Sequence, residues 1–241
     1  MFTDIQFTIL DVVDSTNAFA KRLADIPHAN SVHAIIAREQ THGKGRFGKN
    51  WTASKDSSIL MTLFFQENSL TLPHQFTQIL AYTCCIFFKE LGLAIEMKWP
   101  NDLFIKGKKI GGILLENVDS TWILGVGINI NQDAKDVQKI DQEASSYFIE
   151  TTKNLYVEEA AKVIAKIFIG HLNQLISNGF SPFAHQINEQ FLLTGDGLWQ
   201  NEQDSMIGRI LGLDKEGFLL FESNSKTHLL QAGSLKLLHQ G

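Results

Sequence analysis

The stretch that most limits the fold lies mid-chain. Ile95-Glu96-Met97-Lys98 has the period of a strand and runs into Trp99-Pro100, where the proline ring makes a stiff corner. Leu103-Phe104-Ile105, Lys106-Gly107-Lys108 and Lys109 to Glu116 then read as a hairpin with a glycine turn. A further pairing strand follows from Trp122 to Ile130. Consecutive strands joined by short turns make a meander.

The flanking segments supply both strands and helices. Residues 5–13 read as a first strand. Asp14-Ser15-Thr16-Asn17 can cap a helix. Ala18, Phe19, Leu23 and Ile26 carry that helix to about Ile26, with Pro27 at its end. Val32–Ala37 and Ser58–Phe65 are strands on either side of a glycine-rich loop, and the first leads to Gln40. Residues 73–91 have the spacing of a buried helix stopped at Gly92. The polar stretch 133–153 reads as a surface connection. Residues 156–177 form a core helix in which His171 reads as a packed core histidine. Asn178-Gly179 ends it, and Ser181-Pro182 starts another helix with Ser181 as cap and Pro182 at its first position. From Gly195 the texture changes to short runs over 205–213, 217–222, 227–231 and 235–239, which suggests a small β-barrel. The expected division is therefore 1–194 and 195–241, one large domain and an appendage in a chain of 241 residues.

The loop Gly43-Lys44-Gly45-Arg46-Phe47-Gly48-Lys49-Asn50-Trp51 concentrates cations in a chain of net charge -5. Alone it reads either as a solvated turn or as a ligand loop. Its backbone amides can approach a ligand closely, its cations can gather phosphate or carboxylate oxygens, and its tryptophan offers a flat face. The spacing is G-x-G-x-x-G, but no helix follows, so it is neither a dinucleotide fingerprint nor a Walker A loop. Ser15-Thr16-Asn17 likewise reads as a helix cap or as a row of groups that grips a polar head. A pI near 5.9 argues against a general nucleic-acid binder. No apolar run reaches membrane-spanning length and no signal peptide is visible. Cys84 and Cys85 are adjacent, so they are expected to pack as small apolar residues in a reducing cytoplasm.

Two stretches read together are far more specific than any loop. Lys98-Trp99-Pro100-Asn101-Asp102 with Lys109-Ile110-Gly111-Gly112-Ile113-Leu114-Leu115-Glu116 joins Ser15-Thr16-Asn17, Gln40 and the 43–51 loop. In order and spacing, across about residues 10–131, the chain resembles the biotin protein ligases of the monofunctional type. That resemblance implies an α+β fold: a mixed sheet flanked by helices, like the class II aminoacyl-tRNA synthetase and biotin synthetase catalytic domain, with a C-terminal SH3-like β-barrel. It implies that ATP activates the biotin carboxylate as biotinyl-5′-AMP. A lysine of a biotin carboxyl carrier protein, such as that of acetyl-CoA carboxylase, then takes the biotin.

Carried over by position, Ser15, Thr16, Asn17 and Gln40 would hold the ureido head. Lys44, Gly45 and Arg46 would line the biotin chain and fold over the adenylate, and Gly112 and Leu114 would shape the floor. Lys109, with Arg46, would sit at the reacting centre. Trp51, Lys98, Asn101, Asp102 and Asn129 would face the nucleotide, Asp102 also holding Mg²⁺. Lys44, Phe47 and Lys49 stand where the family commonly has arginines, which keeps charge at 44 and 49 but loses the bidentate fork. Lys108 beside Lys109 raises a question of register, and the spacing to Gly112 favours Lys109 as the inward residue. The first strand begins near residue 5, so neither a DNA-binding segment nor a repressor function is expected. The family's homodimerisation through its central sheet carries over as an option. The barrel would help hold ATP or the acceptor, or serve only as a stabilising cap. The competing functions are a lipoyl or octanoyl ligase on the same core and a non-catalytic biotin or adenylate sensor.

Overall fold

A computed structural model describes residues 1–24, 30–67, 69, 72–138, 140 and 142–238. In chain order its elements are β1 (Asp4–Val13), α1 (Thr16–Leu23), β2 (Ser31–Gln40), β3 (Ser58–Gln66), α2 (His74–Glu90), β4 (Glu96–Lys98), β5 (Asp102–Ile105), β6 (Lys108–Val118) and β7 (Thr121–Asn129). There follow α3 (Ala134–Val137), α4 (Tyr147–Thr151), α5 (Val157–Asn178), α6 (Ser181–Gln190), β8 (Gly195–Gln200), β9 (Ser205–Leu213), β10 (Leu219–Ser223), β11 (Lys226–Leu230) and β12 (Ser234–Leu237).

The meander forms as its turn chemistry dictates. Lys106 and Gly107 both take positive φ, the geometry of a tight hairpin turn that glycine tolerates at no cost. The first sheet has seven strands in the order β1-β2-β3-β7-β6-β5-β4. Among the described residues only β1 and β2 of this sheet pair in parallel, so the sheet is mixed.

Alternation along β3 shows how the layers are built. Ile59, Met61, Leu63 and Phe65 face the main apolar cluster with Phe76, Leu80, Phe88, Phe168 and Leu172 of α2 and α5. Phe64, on the other face, packs with Ala20 of α1, Ile35 and Ile123. Leu60 joins Val13 and Ala37 beside Trp51. Both faces of β3 are buried, which its near-continuous apolar run requires.

The C-terminal strands correct the expected SH3-like barrel. They form an open five-stranded sheet in the order β11-β10-β9-β8-β12. β11 and β12 are its opposite edges, and among the described residues no pairing closes them. A closed barrel encloses its own core. Here Trp199, Ile210, Leu219, Phe221 and Leu235 instead bury into the apolar cluster shared with α2, α5 and α6. That shared core removes the reason to close.

Several boundaries also move. α1 ends at Leu23, while Ile26 and Pro27 lie outside the described residues, as does His239. The stretch 133–153 holds two short helices, α3 and α4, rather than plain connection. Ser181 lies inside α6, whose cap residue is Phe180, and no side chain caps it. His171 packs against Tyr82 and Phe183. Its Nδ1 lies 2.9 Å from Thr83 Oγ1, and burial lowers its pKa. Cys84 and Cys85 are free and buried, and burial pushes the Cys84 thiol up to about 12.

Candidate active site

A cleft of about 550 Å³ opens between the N-terminus of α1, the 43–51 loop, β6, β7 and the turn before β12. That is room for a mid-sized organic ligand. All the residues singled out from the sequence line it: Ser15, Thr16, Asn17, Gln40, Lys44, Gly45, Arg46, Trp51, Lys98, Asn101, Asp102, Lys109, Gly112, Leu114 and Asn129.

One end is neutral and polar. Ser15, the cap of α1, accepts from Ala18 N at 3.4 Å, and Ser15, Thr16 and Asn17 are all buried. Gln40 Oε1 accepts from Thr16 N at 2.7 Å and lies 3.0 Å from Thr16 Oγ1. Ser15 thus caps α1 while all three residues line the cleft.

The other end is cationic. Five cations (Lys44, Arg46, Lys49, Lys98 and Lys109) meet one carboxylate, Asp102, in a chain whose net charge is -5. Lys109 Nζ lies 2.7 Å from Asp102 Oδ1, with the two side chains 17% and 22% exposed. Lys98 lies over the Phe104 ring. Burial lowers its pKa, the neighbouring cations Lys109 and Lys49 push the same way, and Asp102 opposes them. Such a cleft favours anions.

A bulge decides which lysine enters. Leu103 pairs with Gly111 and Phe104 with Lys109, so Ile110 is an extra residue in β6. Strict alternation would put Lys109 on the face opposite Gly112 and Leu114. The bulge brings all three onto one face, and Lys108 stays exposed.

The loop is tied down at both ends. Lys44 bridges Asn50, Gly45 N donates to Lys49 O at 2.7 Å, and Trp51 N donates to Gly43 O at 2.9 Å. Arg46 Nη1 donates to Asn101 Oδ1 at 2.7 Å, and Nη2 to Gly233 O at 3.3 Å. Burial lowers the pKa of Arg46. Phe47, at φ 55, is exposed and lies beneath the Arg46 guanidinium. Trp51 lies across Gly127, where a Cβ would come within 2.5 Å of the indole ring. Its buried Nε1 has no partner among the described residues, and neither has Asn129 Oδ1.

Sequence reasoning missed several contributors. Ser234 and Leu235 reach the cleft from the second sheet, and Gln142 from the connection after β7. Their distance along the chain hid them. Thr62 and Glu116 lie behind the polar end. Thr62 is the one hydroxyl inside the apolar run of β3, and Glu116 shares the face of Gly112 and Leu114 by alternation. Both signals were available.

A mixed sheet carrying a cleft neutral at one end and cationic at the other is the frame of an acid-activating ligase. The chain belongs to the biotin/lipoate A/B protein ligase family, whose sequence pattern matches residues 9–133. Among its curated relatives, the bifunctional ligase/repressor BirA of Bacillus subtilis is 28% identical over 237 residues, covering 94% of this chain and 72% of that one. A biotin--[acetyl-CoA-carboxylase] ligase of Paracoccus denitrificans is 30% identical over 183 residues, 70% of this chain and 74% of its own. The biotin protein ligase of Aquifex aeolicus, solved in complex with biotin and ATP, superposes with a TM-score of 0.85 over 97% of this chain and 99% of its own. At 24% identity that likeness speaks for the fold.

Proposed function

We propose that the protein is a biotin protein ligase. It joins the biotin carboxylate to the α-phosphate of ATP, forming biotinyl-5′-AMP and releasing pyrophosphate. The amine of a carrier-domain lysine then attacks the acyl carbon, an amide forms and AMP leaves. The observation that carries this reading is the two-ended cleft. A ureido head needs neutral donors and acceptors in fixed places. Bringing a carboxylate against a triphosphate needs concentrated positive charge in a site that excludes water.

Ser15, Thr16, Asn17 and Gln40 take the head, with Gly112 and Leu114 beneath the chain. Lys109 faces the carboxylate and α-phosphate. Arg46, Lys44 and Gly45 close over the adenylate, and Trp51, Lys98, Asn101 and Asn129 face the nucleotide. The unpartnered Asn129 Oδ1 suits an amine or hydroxyl donor of that ligand. The donor set fits Mg²⁺ in a limited way. Asp102 offers one carboxylate, with Oδ1 held by Lys109, and Asn101 Oδ1 is taken by Arg46. Among the described residues no cluster of three metal-ligating side chains exists. Asp102 would therefore hold a magnesium ion borne mostly by the phosphates, which would neutralise their charge when bound. The partner is a biotin carboxyl carrier domain, as in acetyl-CoA carboxylase, met in the cytoplasm. No helix among the described residues is long and apolar enough to cross a membrane.

The test is incubation with ATP, Mg²⁺, biotin and a carrier domain, followed by intact mass. A gain of one biotin is expected. An unmodified carrier, or equal use of lipoate in competition, would overturn the reading.

A further inference from the structure

Behind the polar end of the cleft runs a relay of hydrogen bonds that begins at a carboxylate. Glu116 Oε1 lies 2.6 Å from Lys21 Nζ, and Oε2 accepts from Asn17 Nδ2 at 2.9 Å. Thr62 Oγ1 lies 2.6 Å from Asn17 Oδ1 and 2.8 Å from Thr16 Oγ1. Thr16 Oγ1 in turn lies 3.0 Å from Gln40 Oε1.

Counting protons gives the relay a direction. An ionised carboxylate only accepts, so Asn17 must turn its NH₂ toward Glu116. Its carbonyl oxygen then faces Thr62. A hydroxyl has one proton, and Thr62 spends it on Asn17 Oδ1 rather than on Thr16. Thr16 sends its own proton to Gln40, whose oxygen already accepts from Thr16 N. Thr16 Oγ1 and Asn17 Oδ1 are each left with lone-pair capacity at the cleft.

We propose that Glu116 is a positioning residue that sets the polarity of this floor, so that it presents acceptors to the N–H groups of the bound head. The inference rests on biotin being the ligand, whose ureido ring carries two N–H donors. Glu116 touches no substrate; it acts through Asn17. Lys21 sharpens the effect. In Glu116→Gln, the lysine attracts the new amide's oxygen, which leaves its NH₂ for Asn17. Asn17 must then reverse and hand its NH₂ to Thr62. Thr62 is freed to donate to Thr16, so the cleft loses the Asn17 acceptor and one of the two lone pairs of Thr16.

The test is calorimetric titration of biotin, and of its cyclic carbamate analogue with one ring N–H replaced by oxygen. Wild-type protein that fails to bind biotin sinks the proposed function itself. Given wild-type binding, Glu116→Gln is expected to weaken biotin about tenfold and the carbamate less than about threefold, a non-additive pair. At saturating biotin and ATP, kcat should change less than about threefold, because a positioning loss at the head falls on KM. Lys21→Met combined with Glu116→Gln should recover part of the preference, since nothing then competes for the amide oxygen. Should Glu116→Gln fold poorly by its melting temperature, Glu116→Ala removes the acceptor and should also erode the preference. A folded variant of either kind with the wild-type ratio of the two ligands would overturn the proposal.

Discussion

Lys109→Ala should remove more than one positive charge's worth of rate. The Lys109–Asp102 pair is about four-fifths buried at 2.7 Å. At an effective dielectric near 20, the gross attraction at that distance is on the order of 6 kcal/mol, and desolvation offsets most of it. Alanine at 109 takes away a cation at the proposed reacting centre. It also leaves Asp102 without its ion-pair partner, facing incoming phosphates of the same sign. Losing one preorganised charge partner typically costs about 10²–10³ in rate, or roughly 3–4 kcal/mol. Biotin-dependent ATP–pyrophosphate exchange should therefore fall by at least about 10². Adding Asp102→Asn should make the double variant better than the product of the two single effects, because the stranded carboxylate is gone. Near-normal exchange in Lys109→Ala would remove Lys109 from the centre. Strict additivity would show that the pair does not act as a unit.

Gly127→Ala should unseat Trp51 without touching a cation, because its Cβ would lie 2.5 Å from the ring. ATP should bind about tenfold more weakly, within the range for losing one aromatic stack, and an unchanged KM for ATP would refute that seat. Burial holds the Lys98 pKa below its ordinary value, so Lys98 should lose its charge as pH rises, before the 10.5 of an ordinary lysine. Activity should fall on that alkaline limb, and Lys98→Arg should move the limb upward; identical pH profiles would discount Lys98. The folded His171 pKa is lowered, so the unfolded chain takes the proton more readily. Its contribution is full above about pH 6.5 and is lost as pH falls below it, so the melting temperature of His171→Gln should drop less than wild type between pH 7 and 5.

Much of this was legible because local rules reach far in such a chain. Lys106-Gly107 fixes the hairpin turn, alternation sorts β3 into two faces, and the polar row after Asp14 caps α1. The site motifs converge because strand ends and a short loop deliver them. What escaped depended on contacts between distant segments. The spacing to Gly112 favours Lys109 over Lys108, but the extra residue that turns it inward, Ile110, is a bulge that pattern alone does not announce. Short runs between turns and the family resemblance suggest a barrel, but closure depends on what else covers the inner face. Ser234 and Leu235 lie more than a hundred residues from the motif they face.

The open second sheet has a mechanical consequence. Trp199, Leu219 and Phe221 share one apolar body with Phe76 and Phe168, so among the described residues the second sheet has no private interior. Cutting the chain after Thr194 would strip a wall from what remains and leave an oily scar. Heating should melt both sheets in a single step, and the Gly233 carbonyl that steadies Arg46 would let go in that same step.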